Sequence, residues 1–440
     1  MKLLMIAYEF PPAAAGGVFR SVKFARYLPR FGWTPHVLTP SNTTVRCQDE
    51  TLLNELPPEV VVHRSRSFEY RGALGRGGWL ARGLDWRIRA LLDRLAVPDP
   101  MSFWAVPAVI KALWIIHRHR IDALYSTSWP FSDHLAGLIL HRLTGLPWIA
   151  DFRDPWLQHY NYGPTGTRKD RWNRRIERAI CRRASAVISP TVLATRAMRR
   201  SHPDLPPGRF LTIRNGYDEC EFTGRVAPSE DFLIVHAGSF YGTRNPQGFF
   251  DGLNRFLRRN PQARERLRIV FLGTSLDGAF APPDLDGRVE YKPWVSHAET
   301  IQWLRQARVL LLIQHRDPAV KLTVTGKLYE YMATGCHILS LNTQPCENES
   351  LLRRYGRATV LSDSDPNAVA SALQHLHHRY VAGHLGTDPL QPATEKYVRR
   401  FRRQATARQL ADLLNRALAD AQAPRPVPVT VPTIPAVGGV

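Results

Sequence analysis

The stretch TVTGKLYEYMATGCHILSL, residues 323–341, reads as a loop, a helix and a buried strand in succession. Thr323, Thr325 and Gly326 are loop and cap residues. Lys327 to Thr334 are good helix formers, with Leu328, Tyr331 and Met332 on one side. Gly335 stands where a C-cap glycine is expected, and His337 to Leu341 is a short β-rich run. The first turn of a helix has free N–H groups and a partial positive charge, so a start carrying Thr325 and Lys327 suits an anion. Glu330 follows Lys327 by three residues and projects from much the same face. Such a pair suits a nucleotide, with the cation and amides for phosphate and the carboxylate for ribose hydroxyls. The same spacing is equally that of a solvated ion pair.

The segment TGKLYEYMATGCHILSL resembles the donor-site signature of retaining glycosyltransferases of family 4, roughly K-x-x-E-Y-x-A-x-G-x-P-I-L. The resemblance implies an α/β chain of GT-B architecture: two Rossmann-like domains facing across a cleft, with a C-terminal helix crossing back to the first. It implies that Glu330 holds the ribose of a sugar nucleotide. Many family members carry a second glutamate eight positions earlier, where this chain has Leu322, and His337 replaces a frequent proline.

Composition sets the bounds. The 440 residues are enough for two domains with separate cores. Hydrophobic content of 44% and charged content of 22% are those of a globular protein. The 59 Lys and Arg against 38 Asp and Glu give +21, a surplus that favours phosphate esters, an anionic membrane surface or nucleic acid. A nucleic-acid motif is absent. Five scattered cysteines, with no CxxC pair or zinc spacing, indicate reduced thiols and a cytoplasmic setting. MKLLMIAYEFPP is too short an apolar run for a signal peptide and suits a first strand. FWAVPAVIKALWII (103–116) comes nearest to the ~18–20 apolar residues of a membrane span, but Pro107 and Lys111 interrupt it.

In chain order, KLLMIA (2–7) is a buried parallel strand. A loop with the pair Gly16 and Gly17 follows, then a helix ending at Gly32 and a strand at 34–40. Ligands of open α/β sheets bind at such strand ends. The glycine pair is not GxGxxG; it is plain turn chemistry or, as the resemblance implies, a place where donor or acceptor approaches backbone. Residues 64–95 are Arg-rich with Trp79 and Trp86: a membrane-surface or acceptor-binding segment, or a solvated loop and helix face. PWIADFRDPW brings Asp151, Arg153 and Asp154 together near a strand end and resembles a segment in one branch of the family. There they would act at the acceptor; the alternative is a structural ion-pair cluster. Trp148 and Trp156 read as core. RKDRWNRRIERAICRR (168–183) is a basic helix whose apolar side is Trp172, Ile176, Ala179 and Ile180. NGYD (215–218) resembles the family's segment that closes the first domain.

FLIVHAGSF (232–240) restarts the alternation. Aligned on Gly238, the family's two diphosphate-binding cations fall on Ser239 and Arg244, so one is lost and the other is an Arg. Residues 396–422 read as one long helix, and the Pro-rich end as a disordered tail. The expected organisation is an acceptor-side domain over 1–225, a nucleotide-sugar domain over 226–391, a crossing helix over 392–422 and a tail over 423–440.

The resemblance implies transfer of a sugar from a nucleotide-sugar donor to a hydroxyl acceptor, a glycan or lipid-linked glycan, with retention. Lys327, Arg244, Thr325 and nearby amides would stabilise the leaving diphosphate. Glu330 anchors the nucleotide; Gly16, Gly17 and Gly238 allow close approach. Asp151, Arg153 and Asp154 are the catalytic-side candidates. No covalent nucleophile, cofactor or metal is implied. The rival readings are a GT-B sugar-nucleotide epimerase and a non-catalytic polyanion-binding protein.

Overall fold

Continuous apolar runs bounded by turn residues cannot sit at a wet surface, and here they pair into parallel sheets covered on both faces. The computed structural model describes residues 1–13, 16–41, 48–67, 86–157, 166–224, 226–240, 244–274, 285, 287–293, 295–314, 321–342, 346–362, 364–385 and 390–423. Strands β1 (Lys2–Ile6), β2 (Thr34–Pro40), β3 (Val61–Ser65), β4 (Ala123–Ser128), β5 (Trp148–Phe152), β6 (Ala186–Ser189) and β7 (Phe210–Thr212) form a seven-stranded sheet in the order 3-2-1-4-5-6-7. Strands β8 (Phe232–Ala237), β9 (Leu267–Leu272), β10 (Val289–Lys292), β11 (Val309–Ile313), β12 (His337–Asn342) and β13 (Ala358–Ser362) form a six-stranded sheet in the order 10-9-8-11-12-13. In each sheet the order reverses beside the first strand, which puts a crevice at the carboxyl ends of β1 and β8.

The helices in the first half are α1 (Val18–Tyr27), α2 (Trp86–Leu95), α3 (Ser102–His119), α4 (Ser132–Thr144), α5 (Arg168–Arg183) and α6 (Val192–Ser201). In the second half they are α7 (Gln247–Arg259), α8 (His297–Gln306), α9 (Gly326–Thr334), α10 (Glu347–Tyr355), α11 (Pro366–Val381), α12 (Pro392–Arg399) and α13 (Arg403–Gln422). One face of the first sheet packs on α1 and α13, with Leu410, Ala411 and Leu414 of the C-terminal helix inside the first core. Burying each such leucine contributes about 1.5–3 kcal/mol, so the expected crossing back to the first domain is a packed contact.

Two expectations need correction. Residues 396–422 are not one helix: the chain breaks at 400–402, where Tyr217 captures the backbone. Tyr217 N donates to Phe401 O at 3.0 Å and Arg403 N donates to Tyr217 O at 2.8 Å, hydrogen bonds that continuous helix geometry would not offer. The expected apolar side of α5 holds for Ile176, Ala179 and Ile180, which pack on the core, but not for Trp172, which is 54% exposed; Asp170, Asn173 and Glu177 are buried with them. The two carboxylates tolerate burial because they are hydrogen-bonded: Asp170 accepts from Gly166 N at 2.7 Å, and Glu177 accepts from Leu157 N at 3.3 Å and pairs with His202 at 3.1 Å. Residues 103–116 lie within α3, which runs through Pro107. Among the described residues no helix is long and apolar enough to cross a membrane. Residues 68–85 with Trp79, and the expected tail beyond Ala423, lie outside the described residues.

Candidate functional site

On the first domain, Asp151 is the fourth residue of β5 and points inward. It is fully buried and takes two hydrogen bonds from Arg20 of α1, Nε at 2.6 Å and Nη2 at 3.1 Å, with a third from the Tyr125 hydroxyl. Arg20 is 2% exposed and also donates to the carbonyls of Ile213 and Arg214 at 2.9 and 3.2 Å. Every polar edge of this pair is used in joining α1, β4, β5 and the segment after β7. The geometry is that of a structural ion pair, the alternative the sequence left open for Asp151.

Arg153 and Asp154 follow just beyond the carboxyl end of the strand and are half-buried. Arg153 pairs with Glu9 at 2.9 Å and lies 3.8 Å from Asp154. Its guanidinium lies against Gly17: a Cβ there would fall 1.4 Å from Nη1, so any other residue would push Arg153 out of place. Gly16 is exposed with open space around it, the condition for close approach by a ligand. Sequence reading missed Glu9, and also Asp133, a fully buried carboxyl at the start of α4 that accepts Tyr8 N at 2.8 Å and holds the β1–α1 loop. Burial raises the Asp133 pKa well above the usual carboxylate range.

On the second domain, β8 ends at Ala237 and the chain turns at Gly238 with φ 113°, a conformation side chains rarely adopt. The Lys327 ammonium donates to the Ala237 carbonyl and rests on Gly238, where a Cβ would fall 2.0 Å from Nζ. Arg244 curls back on the same turn, Nη1 donating to Ser239 O at 3.4 Å; the Ser239 hydroxyl donates to Gly273 O at 2.8 Å. Burial, then the Arg244 cation, push the Lys327 pKa down to about 7 against the pull of Glu330. Thr325 is the N-cap of α9 but makes no side-chain bond to the first turn. Leu322, where many relatives of the motif have glutamate, presents its carbonyl to Thr191 Oγ1 of the first domain at 2.6 Å.

Glu330 is half-buried one turn into α9, and among the described residues no hydrogen bond or ion pair reaches its carboxylate. Two cationic side chains that sequence reading missed lie within electrostatic reach. His297, at the start of α8, pairs with Glu221 at 3.1 Å and packs on Phe19 of α1, ring centroids 4.7 Å apart. Burial works against its charge, but Glu221 and Glu330 outweigh it and raise its pKa. Arg403, at the start of α13, is 5% exposed, and its Nη1 has no hydrogen-bond partner among the described residues. Burial, then Arg20, lower its pKa to about 10 against Glu330, Glu221 and Asp218. His297 carried one sequence signal, a Ser296 cap followed by Glu299; Arg403 sat in a basic run with nothing to mark it.

The structure therefore brings Gly238, Arg244, Thr325, Lys327 and Glu330 together at one strand end, and Gly16, Gly17, Arg153 and Asp154 at the other. A further cavity of about 640 Å³ lies between the domains, lined by Arg196, Arg214, Glu347, Arg354 and Arg400 among others. None of the expected site residues lines it. Glu347 there accepts Val192 N and Leu193 N at 3.1 and 2.9 Å, capping α6 from the opposite domain.

Residues 16–216 match the family described as "Glycosyl transferase 4-like domain". A comparison with curated protein sequences finds no match. Among solved structures, a sucrose-phosphate synthase from Thermosynechococcus elongatus superposes with TM-score 0.65 at 15% identity, over 95% of this chain and 99% of that one. Anabaena HepE in complex with UDP-glucose superposes with TM-score 0.61 at 14% identity, over 94% and 100%. An α,α-trehalose-phosphate synthase (UDP-forming) from Burkholderia vietnamiensis gives 0.60 at 13% identity, over 96% and 98%. These likenesses establish the fold as GT-B.

Proposed function

We propose that the chain is a glycosyltransferase that moves a sugar from a nucleotide-sugar donor to a hydroxyl acceptor with retention of anomeric configuration. The observation that carries this is Glu330: a carboxylate that no hydrogen bond or ion pair reaches among the described residues, one turn from Lys327, on a helix whose cap residue makes no side-chain bond to the first turn. Ribose hydroxyls are the donors such a carboxylate lacks. Lys327, Arg244 and the first-turn amides of α9 take the diphosphate and stabilise it as it leaves. Arg153 and Asp154, across the crevice, orient the acceptor. The match to a glycosyltransferase domain over residues 16–216 supports this reading, as does the nucleotide sugar bound by the Anabaena protein.

The acceptor is proposed to be a glycan or lipid-linked glycan met at an anionic membrane surface. Helix α2 exposes Ile88, Leu91 and Leu95 at 49–61%, and α3 exposes Val106, Ile110 and Trp114 at 51–66%. Such apolar residues at helical spacing in a chain of charge +21 suit peripheral binding at the inner membrane face.

A thermal-shift panel of nucleoside diphosphates and their sugars tests the donor assignment, since a ligand of the native state raises Tm. Glu330→Gln is expected to weaken donor binding by about 1.5–3 kcal/mol, the worth of a charge-assisted hydrogen bond. Wild-type donor affinity in that variant, measured by calorimetry, removes Glu330 from the ribose site. Analysis of products separates transfer from epimerisation: an epimerised nucleotide sugar with no glycosylated acceptor would replace the proposal.

A further inference from the structure

Three histidines converge on the first domain at a place the crevice does not use. His36 is the third residue of β2 and His63 the third of β3. The strands are parallel neighbours, with His36 paired to Val61 and Leu38 to His63. Residues two apart on a strand share a face, and directly paired residues share it too, so both rings stand on the face that carries Leu38. Leu38 packs in the core built with α3, whose last residue is His119. The three rings therefore meet between the sheet edge and the end of α3. One nitrogen from each lies within 4.8 Å of the other two. His36 Nδ1 and His63 Nε2 are 3.1 Å apart, and the His36 and His119 ring centroids are 4.5 Å apart.

We propose that His36, His63 and His119 form a binding site for a transition-metal ion that prefers nitrogen ligands, with Zn²⁺ as the occupant. Zinc–imidazole bonds of ~2.0–2.1 Å in a tetrahedron place ligand nitrogens about 3.4 Å apart. The His36–His63 approach already matches that spacing, and half-exposed His119 closes the set by a small side-chain rotation. His36 Nδ1 and His63 Nε2 face each other in a hydrogen bond, so one of the two nitrogens already presents a lone pair. The hydrogen bond between them is given up when both coordinate. Lys2, Lys111 and Arg118 are the charged groups acting on the cluster, and no carboxylate is among them. Without a carboxylate the cluster offers hard cations such as Mg²⁺ and Ca²⁺ none of the oxygen ligands they need, so its selectivity comes from three imidazole nitrogens, with a water in the fourth position.

The site lies away from the proposed donor residues. His119 ends the helix that leads into the amino end of β4, whereas Gly17, Arg153 and Glu330 lie beyond carboxyl ends of strands. An ion here ties the end of α3 to the sheet edge and stabilises the first domain.

The test is a titration of the full chain, stripped of metal with a chelator, with Zn²⁺ by calorimetry and thermal shift, and with Co²⁺ by visible absorption. The expected result is one saturable zinc site, a rise in Tm and the absorption bands of tetrahedral cobalt. His119→Gln and His63→Gln should weaken zinc by more than the ~10–100-fold that loss of an outer-shell partner costs. His117→Gln, exposed and outside the cluster, should bind as wild type does. His119→Gln sits at a half-exposed helix end, so it folds even if the strand variant does not. Absence of zinc binding, or equal affinity in wild type and His119→Gln, overturns the proposal.

Discussion

Lys327 shows how the fold sets the chemistry of one residue. Its pKa lies at about 7, far below the usual 10.5, because it is buried beside Arg244. A folded-state value below the unfolded one means that the unfolded chain binds more protons between pH 7 and 10.5. The charge therefore costs stability in full below pH 7, and that cost is relieved as pH rises toward 10.5. A bound diphosphate reverses the balance by pulling a proton onto Lys327. Binding of a nucleotide sugar, whose diphosphate does not titrate here, is expected to take up close to one proton at pH 8.5 and to weaken up to about tenfold per pH unit above 7. Calorimetry in buffers of different ionisation enthalpy measures this; affinity flat from pH 7 to 9 would place the diphosphate elsewhere. Asp151 is the opposite case, a charge locked for structure. Asp151→Ala leaves Arg20 buried and unpaired, and is expected to cost about 3–5 kcal/mol in urea unfolding. A loss below about 1 kcal/mol would show that Arg20 finds other partners and would return Asp151 to the acceptor side.

At the scale of elements, the NGYD segment carries more than its sequence showed. Asn215 Oδ1 accepts from Arg20 at 3.2 Å, and Asp218 accepts from Lys23 and Arg26 of α1 at 2.8 and 3.1 Å. Gly216 lets Phe401 come close: a Cβ would fall 1.9 Å from the Phe401 carbonyl oxygen, a backbone atom that cannot swing aside. These four residues fasten α1 on one side and the α12–α13 junction on the other. Gly216→Ala is expected to loosen that junction, raising amide exchange at the start of α13 by an order of magnitude or more while leaving the β8–β13 sheet protected. Unchanged exchange at 401–406 would mean that the contact is slack.

For the whole molecule, the question is where the surplus charge works. The apolar residues exposed on α2 and α3 stand in a chain of +21, and basic side chains near an anionic leaflet contribute about 1 kcal/mol each, screened by salt. The chain is expected to sediment with anionic vesicles at low salt, to be released at high salt and to ignore neutral vesicles. Equal pelleting on both lipids, or none on either, removes the electrostatic dock and favours a soluble acceptor.

The parallel sheets, the start of α9 at Gly326 and its end at Gly335 were legible in the sequence because they rest on local chemistry: apolar run length, cap residues and a glycine with φ 79°. Arg244, Lys327 and Glu330 could be picked out as a group because they lie within one turn of each other or at one strand end. Asp151 stayed between an acceptor role and an ion-pair cluster, because only the tertiary structure shows that Arg20, far away on α1, bonds both its carboxylate oxygens. The break at 400–402 was invisible because helix propensity runs through it, and a distant tyrosine backbone ends the helix. Arg403, His297 and the three-histidine cluster share that cause. A side chain's partners are set by what the fold carries to it across sheets and domains, and sequence spacing holds no record of those distances.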